Sequence, residues 1–166
     1  MRFQQYINES IENCQEFHEH LYSIYEVFDK DIKLEEPKWD GTFFSISFNI
    51  DGEMYQFKAK EVNKTEYSIL FFKSGAGLFD LKGTKRYSGD IFAAVKKSLH
   101  TLIEKRKVNM FWFNSTEPKL IRLYDIVSKK MQKEFNGFEF HSSIVKGDFK
   151  FWIFKRKEYE TPEIFK

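Results

Sequence analysis

The six residues Val108-Asn109-Met110-Phe111-Trp112-Phe113 are apolar at all but one position. A run this short and this apolar reads as a strand buried on both faces, since a half-exposed strand would alternate. Such a strand needs cover on each side, and the flanking sequence supplies helices. Upstream, Ile91, Phe92, Val95, Leu99, Leu102 and Ile103 recur at intervals of three and four, ending at Lys105-Arg106-Lys107, where cations suit the negative end of a helix dipole. Downstream, Thr116-Glu117-Pro118 offers a hydroxyl cap and a first-turn proline ahead of Leu120, Leu123, Tyr124, Val127, Met131 and Phe135. Asn136-Gly137 closes that helix.

Strands surround this centre. Phe44, Ile46, Phe48 and Ile50 alternate with smaller or polar residues, Asp51-Gly52 signals a tight turn, and Glu53 to Val62 is expected to return antiparallel. Tyr67 to Phe72 forms a further strand and ends at Ser74-Gly75-Ala76-Gly77. The short run Leu78 to Leu81 reads as another, and it is the expected parallel neighbour of Val108 to Phe113, the two splaying apart at their C-terminal ends. Phe138 to Val145 and Phe149 to Phe154 finish the sheet as a pair joined at Lys146-Gly147-Asp148. At the other end, Ile7, Ile11, Cys14, Phe17, Leu21, Ile24 and Phe28 predict an amphipathic helix from Tyr6 to Phe28, with Glu9, Glu12, Glu16 and Glu19 outside.

The 166 residues suit one domain: an N-terminal helix and connection over 1–40, strands over 41–84, a helix-strand-helix-hairpin segment over 85–156 and a tail over 157–166. Twenty Phe provide large apolar side chains enough to offset chain entropy, which excludes a disordered chain. No apolar run reaches the roughly 20 residues needed to span a bilayer. Met1 to Gln5 leads into a charged segment, and a cytoplasmic location is expected. The single Cys14 excludes an internal disulfide. His18 and His20 point apart on a helix, so with His100 and His141 they do not suggest a metal site. Charge divides unevenly: residues 1–81 carry 8 Lys/Arg against 15 Asp/Glu, and residues 82–166 carry 19 against 10. Either the two halves pack together and partly cancel, or the basic half holds an anion.

The element order, clearest from Leu78 to Arg156, resembles that of GNAT-superfamily acyltransferases. That family enters its coenzyme helix with Arg or Gln, two variable residues, Gly, one variable residue, then Gly or Ala. The corresponding stretch is Arg86-Tyr87-Ser88-Gly89-Asp90-Ile91, which matches at Arg86 and Gly89 and departs at Ile91. Glycine admits a close backbone approach, and helix N-terminal amides favour a pyrophosphate. The resemblance implies an α/β (α+β) fold with a mixed, mostly antiparallel sheet and helices on both faces. It implies acetyl-coenzyme A as cofactor, with Lys85, Arg86, Ser88 and Gly89 at its phosphates. Leu123-Tyr124 is similar to a family pair that sets the tyrosine near the coenzyme sulfur, where a phenol can protonate the departing thiolate. Where the family carries Asn seven residues before that tyrosine, this chain has Glu117, and Gly137-Phe138 comes thirteen residues after it.

Asp80 is a candidate general base by position, completing a catalytic pair with Tyr124. The alternatives stay open on the residues alone: Tyr124 also fits the apolar face of its helix, and Ser88 or Asp90 also fits a simple cap. Ser115 to Asp125 and the opening Phe3 to Glu9 are similar to uncharacterised GNAT-like proteins of tailed bacteriophages. That resemblance implies a non-catalytic alternative in which the fold binds a host or virion protein. Lys119, Arg122, Lys129, Lys130 and Lys133 share one stripe of their helix, which reads as a solvated face before it reads as a nucleic-acid contact.

Overall fold

The computed structural model describes residues 31–75, 88–116 and 118–166. Seven strands form one sheet in the order β1-β2-β3-β4-β5-β7-β6. They are β1 (Lys38–Trp39), β2 (Phe43–Ile50), β3 (Glu53–Asn63), β4 (Glu66–Lys73), β5 (Met110–Ser115), β6 (Phe138–Lys146) and β7 (Phe149–Arg156). Every neighbouring pair is antiparallel except β4 and β5, which run parallel. Helix α1 (Ser88–Lys105) lies between β4 and β5 in the chain, and α2 (Pro118–Glu134) follows β5.

The hairpin of β2 and β3 forms as its alternation requires. Asp51 and Gly52 both take positive φ, 50° and 85°, the mirror-image turn whose twist matches that of the strands. The Asn49 side chain accepts from the Gly52 amide at 2.9 Å and so closes the turn. Register then sets Phe44 beside Ala59 and Ile46 beside Phe57, and Ala59 beside Ile69 of β4, so their side chains share one face. On that face Ile46, Phe57, Ala59 and Ile69 are at most 2% exposed. Each large apolar side chain buried there contributes about 1.5–3 kcal/mol.

Both helices pack on this same face. Ile91, Val95, Leu99 and Leu102 of α1, Tyr124, Val127 and Met131 of α2, and Phe135 just after it join one core with the inward residues of β2 to β7. The helices also meet each other, through Phe92 against Tyr124, His100 stacked on Phe135 at 4.5 Å and the Lys96–Glu134 ion pair at 3.7 Å. The mixed, mostly antiparallel sheet is as expected from sequence. Cover by helices on both faces is seen, among the described residues, on one face only; the expected Tyr6 to Phe28 helix lies outside those residues.

The tail takes part in the fold. A short 3-10 turn over Glu163–Phe165 brings Phe165 to 3% exposure against Trp112 and Phe151, on the face away from the helices. Tyr159 donates its hydroxyl to the buried carboxylate of Glu66 at the start of β4. At the far edge, the Arg106 guanidinium lies 4.0 Å from the Trp39 ring and 3.1 Å from the Glu61 carboxylate, tying β1 and the end of α1 to β3. Arg106 with Glu61, and Lys97 with Asp31, join the basic and acidic halves by direct ion pairs. Partial cancellation of the two charges is therefore built from particular contacts.

Candidate functional site

The parallel pairing of β4 and β5 covers three rungs only: Glu66 with Met110, Tyr67 with Phe111 and Ser68 with Trp112. Beyond them β4 stays bonded to β3 as far as Lys73, while β5 stays bonded to β7 as far as Ser115. Each strand thus follows its antiparallel partner, and the two part at their C-terminal ends. The splay expected between Leu78 to Leu81 and Val108 to Phe113 involves residues outside those described. Among the described residues the parallel neighbour of β5 is β4. The other side of β5 is taken by β7, so both its edges are accounted for at these rungs.

Tyr124 bridges the parting strands. Its ring centroid is 6.0 Å from Phe71 on β4 and 5.2 Å from Phe113 on β5, and Phe92 of α1 and Trp152 of β7 complete the surround at 6.2 and 5.0 Å. All four contacts are edge-on, the geometry that aligns positive ring edges with negative faces. Tyr124 is 4% exposed, so the ring is a core element. The four rings around it were not singled out in the sequence. Their signal was the apolar content of β4, α1, β5 and β7, which periodicity assigns to core without saying around what.

The residue after Tyr124 is anchored. Asp125 accepts from the Trp152 indole Nε1 at 2.8 Å and pairs with Lys150 Nζ at 2.9 Å. Phe92, in the second turn of α1, packs on Phe71 of β4 at 5.8 Å. Ser88 is the first residue of α1, Gly89 is buried in its first turn, and Ile91, where the resembled motif keeps Gly or Ala, is a core side chain at 1% exposure. Asp80, Lys85 and Arg86 lie outside the described residues. The described contact between α1 and Tyr124 runs through Phe92, four residues after Ser88.

Elsewhere the titratable groups serve local structure. The Asp40 carboxylate accepts from the Phe43 and Thr42 amides at 2.7 and 2.9 Å, which hold it below its ordinary range and set the entry into β2. Glu53 is lowered by Lys73 across the hairpin. His100 is lowered first by burial and then by Lys96. Lys129 and Lys133 of the basic stripe are exposed. Among the described residues no three His, Cys, Asp or Glu side chains converge as metal ligands, and no helix is long and apolar enough to cross a membrane. A shallow groove of about 610 Å³ between residues 31–37 and Lys97, Thr101 and Lys105 carries both signs of charge.

No family model matches the chain, and no curated protein matches it in sequence. Among solved structures, one similar chain is aminoglycoside 6'-acetyltransferase type Ii, with 9% identity over 74% of each chain and a TM-score of 0.47.

Proposed function

We propose that this chain is a GNAT-like acyltransferase domain that takes acetyl-coenzyme A into the wedge between β4 and β5 and passes the acetyl group to an amine. The observation that carries this reading is the ladder that stops at Ser68 and Trp112 while both strands continue. Past that point the facing backbone groups of the two strands lack each other as partners, and an extended amide-bearing chain is the kind of ligand that satisfies such groups. A thioester lying in the wedge meets Tyr124, whose ring contacts Phe71 on one arm and Phe113 on the other.

In this reading Lys85, Arg86, Ser88 and Gly89 hold the pyrophosphate at the start of α1. Asp80 receives a proton from the attacking amine. The amine nitrogen bonds to the thioester carbonyl carbon, the carbon–sulfur bond breaks, and the Tyr124 hydroxyl gives its proton to the departing thiolate. A scaffold reading without catalysis is favoured by one observation, the burial of both Tyr124 and Ile91. Calorimetric titration with acetyl-coenzyme A separates the two. Saturable binding is expected, weakened by about 1.5–3 kcal/mol in Arg86→Ala. Tyr124→Phe is expected to keep binding and lose about 10²–10⁴-fold in turnover. No heat with the parent chain at millimolar ligand would leave the scaffold reading standing.

A further inference from the structure

The tail covers part of the sheet face that the two described helices leave open, packing on β5 and β7. Trp112 stands at the last rung shared by β4 and β5, and its neighbour across β5 and β7 is Ile153. Its indole is 5% exposed because Phe165 packs edge-on against it at 5.1 Å, with Phe151 supporting Phe165 at 5.5 Å. The strap is fastened at further points: Tyr159 to Glu66 of β4, Lys155 Nζ to the Tyr159 carbonyl at 3.1 Å, and Lys146 to the Ile164 carbonyl. Met110, Trp112, Ile153 and Phe165 form a small apolar cluster separate from the main core.

We propose that Phe165 is a specificity-determining residue. By pinning the Trp112 indole at the closed end of the wedge, it sets how long an acyl group the site accepts. This rests on the acyl-coenzyme A reading above and goes beyond it, naming a residue that touches no part of the ligand and acts through Trp112. Closely packed interiors pass such constraints on, and a hole left behind Trp112 is space into which the indole can withdraw. Phe165→Ala opens that hole, whereas Phe165→Leu fills most of it.

The test is calorimetry of the full chain with acetyl-, butyryl- and hexanoyl-coenzyme A, for the parent, Phe165→Ala and Phe165→Leu. Indole fluorescence of each variant at matched denaturant reports whether the fold is kept. The parent should prefer the acetyl form. In Phe165→Ala the hexanoyl-to-acetyl affinity ratio should rise by about tenfold or more, the scale on which a pocket discriminates methylenes. Phe165→Leu should restore most of the parental ratio. A merely structural role would weaken all three ligands alike and leave the ratio unchanged, and that result overturns the proposal. The same holds if Phe165→Ala does not fold and Phe165→Leu, which does, shows no intermediate ratio. If the parent binds none of the three, the acyl-coenzyme A reading itself fails and takes this inference with it, so the two failures are told apart by the parent alone.

Discussion

The Asp125 carboxylate of α2 accepts a hydrogen bond from the indole nitrogen of Trp152 on β7, a side chain with no exposed surface. One bond thereby fixes the rotation of α2 over the sheet at the residue next to Tyr124. Lys150, two residues before Trp152 on the same strand, balances the charge. Asp125→Ala is expected to destabilise the chain by about 1–3 kcal/mol, because it strands a buried indole N–H. Asp125→Asn retains an acceptor and should cost less than Asp125→Ala. Urea denaturation followed by indole fluorescence measures both; an alanine variant within about 0.5 kcal/mol of the parent would show that packing alone holds the helix.

Ser98 of α1 and Ser128 of α2 are fully buried, and neither hydroxyl has a hydrogen-bond partner. A buried hydroxyl without a partner costs about 1–3 kcal/mol. Ser98→Ala and Ser128→Ala should therefore each raise the unfolding midpoint. Calorimetric melting decides it, and a lower midpoint for either variant would mean that the hydroxyl is satisfied in solution.

His100 gives the protein a pH dependence with a definite sign. Its pKa is lowered by burial, then by Lys96, with Glu104 and Glu134 opposing. The folded chain thus binds this proton less readily than the unfolded chain, and stability is fully present above the unfolded value of about 6.5 and lost as pH falls through the lower folded value. The lowered carboxylates Asp40 and Glu53 act with the same sign in a more acidic window, below about pH 4. Between pH 7.5 and 5 the parent should lose stability more steeply than His100→Gln. Parallel slopes would assign the dependence to other groups.

Gly137 ends α2 with φ of 85°, and a methyl group there would lie 2.7 Å from Nη1 of Arg156, whose guanidinium covers the Phe138 ring at 4.2 Å. Gly137→Ala should cost about 1–2 kcal/mol from the backbone conformation alone, plus the displacement of Arg156. In an Arg156→Ala background only the backbone part should remain. Equal costs in the two backgrounds would remove Arg156 from the account.

The sequence made legible what is local. Period-two alternation with Asp51-Gly52 located the β2–β3 hairpin, and three-to-four spacing with Pro118 and Gly137 located α2. Pairing was not legible to the same degree. Tyr67 to Phe72 and Leu78 to Leu81 are both short and apolar, and nothing in their composition says which lies beside β5; among the described residues β4 does. Edge strand β1 escaped notice because two residues carry no period, and Trp39 is held by Arg106, far away in the chain. The tail escaped for a related reason, since its place depends on single contacts such as Phe165 on Trp112 and Tyr159 on Glu66. For the candidate site, Tyr124 was singled out by its neighbour Leu123 and the family resemblance, and the rings around it come from four separate elements. Asp125 gave no sign at all, because its partners are on a strand twenty-five residues and more downstream.

The three rungs between β4 and β5 also have a mechanical meaning. On one side of them lies an antiparallel block of four strands, and on the other an antiparallel block of three, each stitched along its full length. A sheet built this way has a natural fracture line, and fluctuations that open it need break few backbone bonds while both blocks stay whole. Hydrogen exchange should show two slow-exchanging territories with an earlier-yielding border at Glu66–Ser68 and Met110–Trp112, so the protein would breathe by spreading its two halves apart.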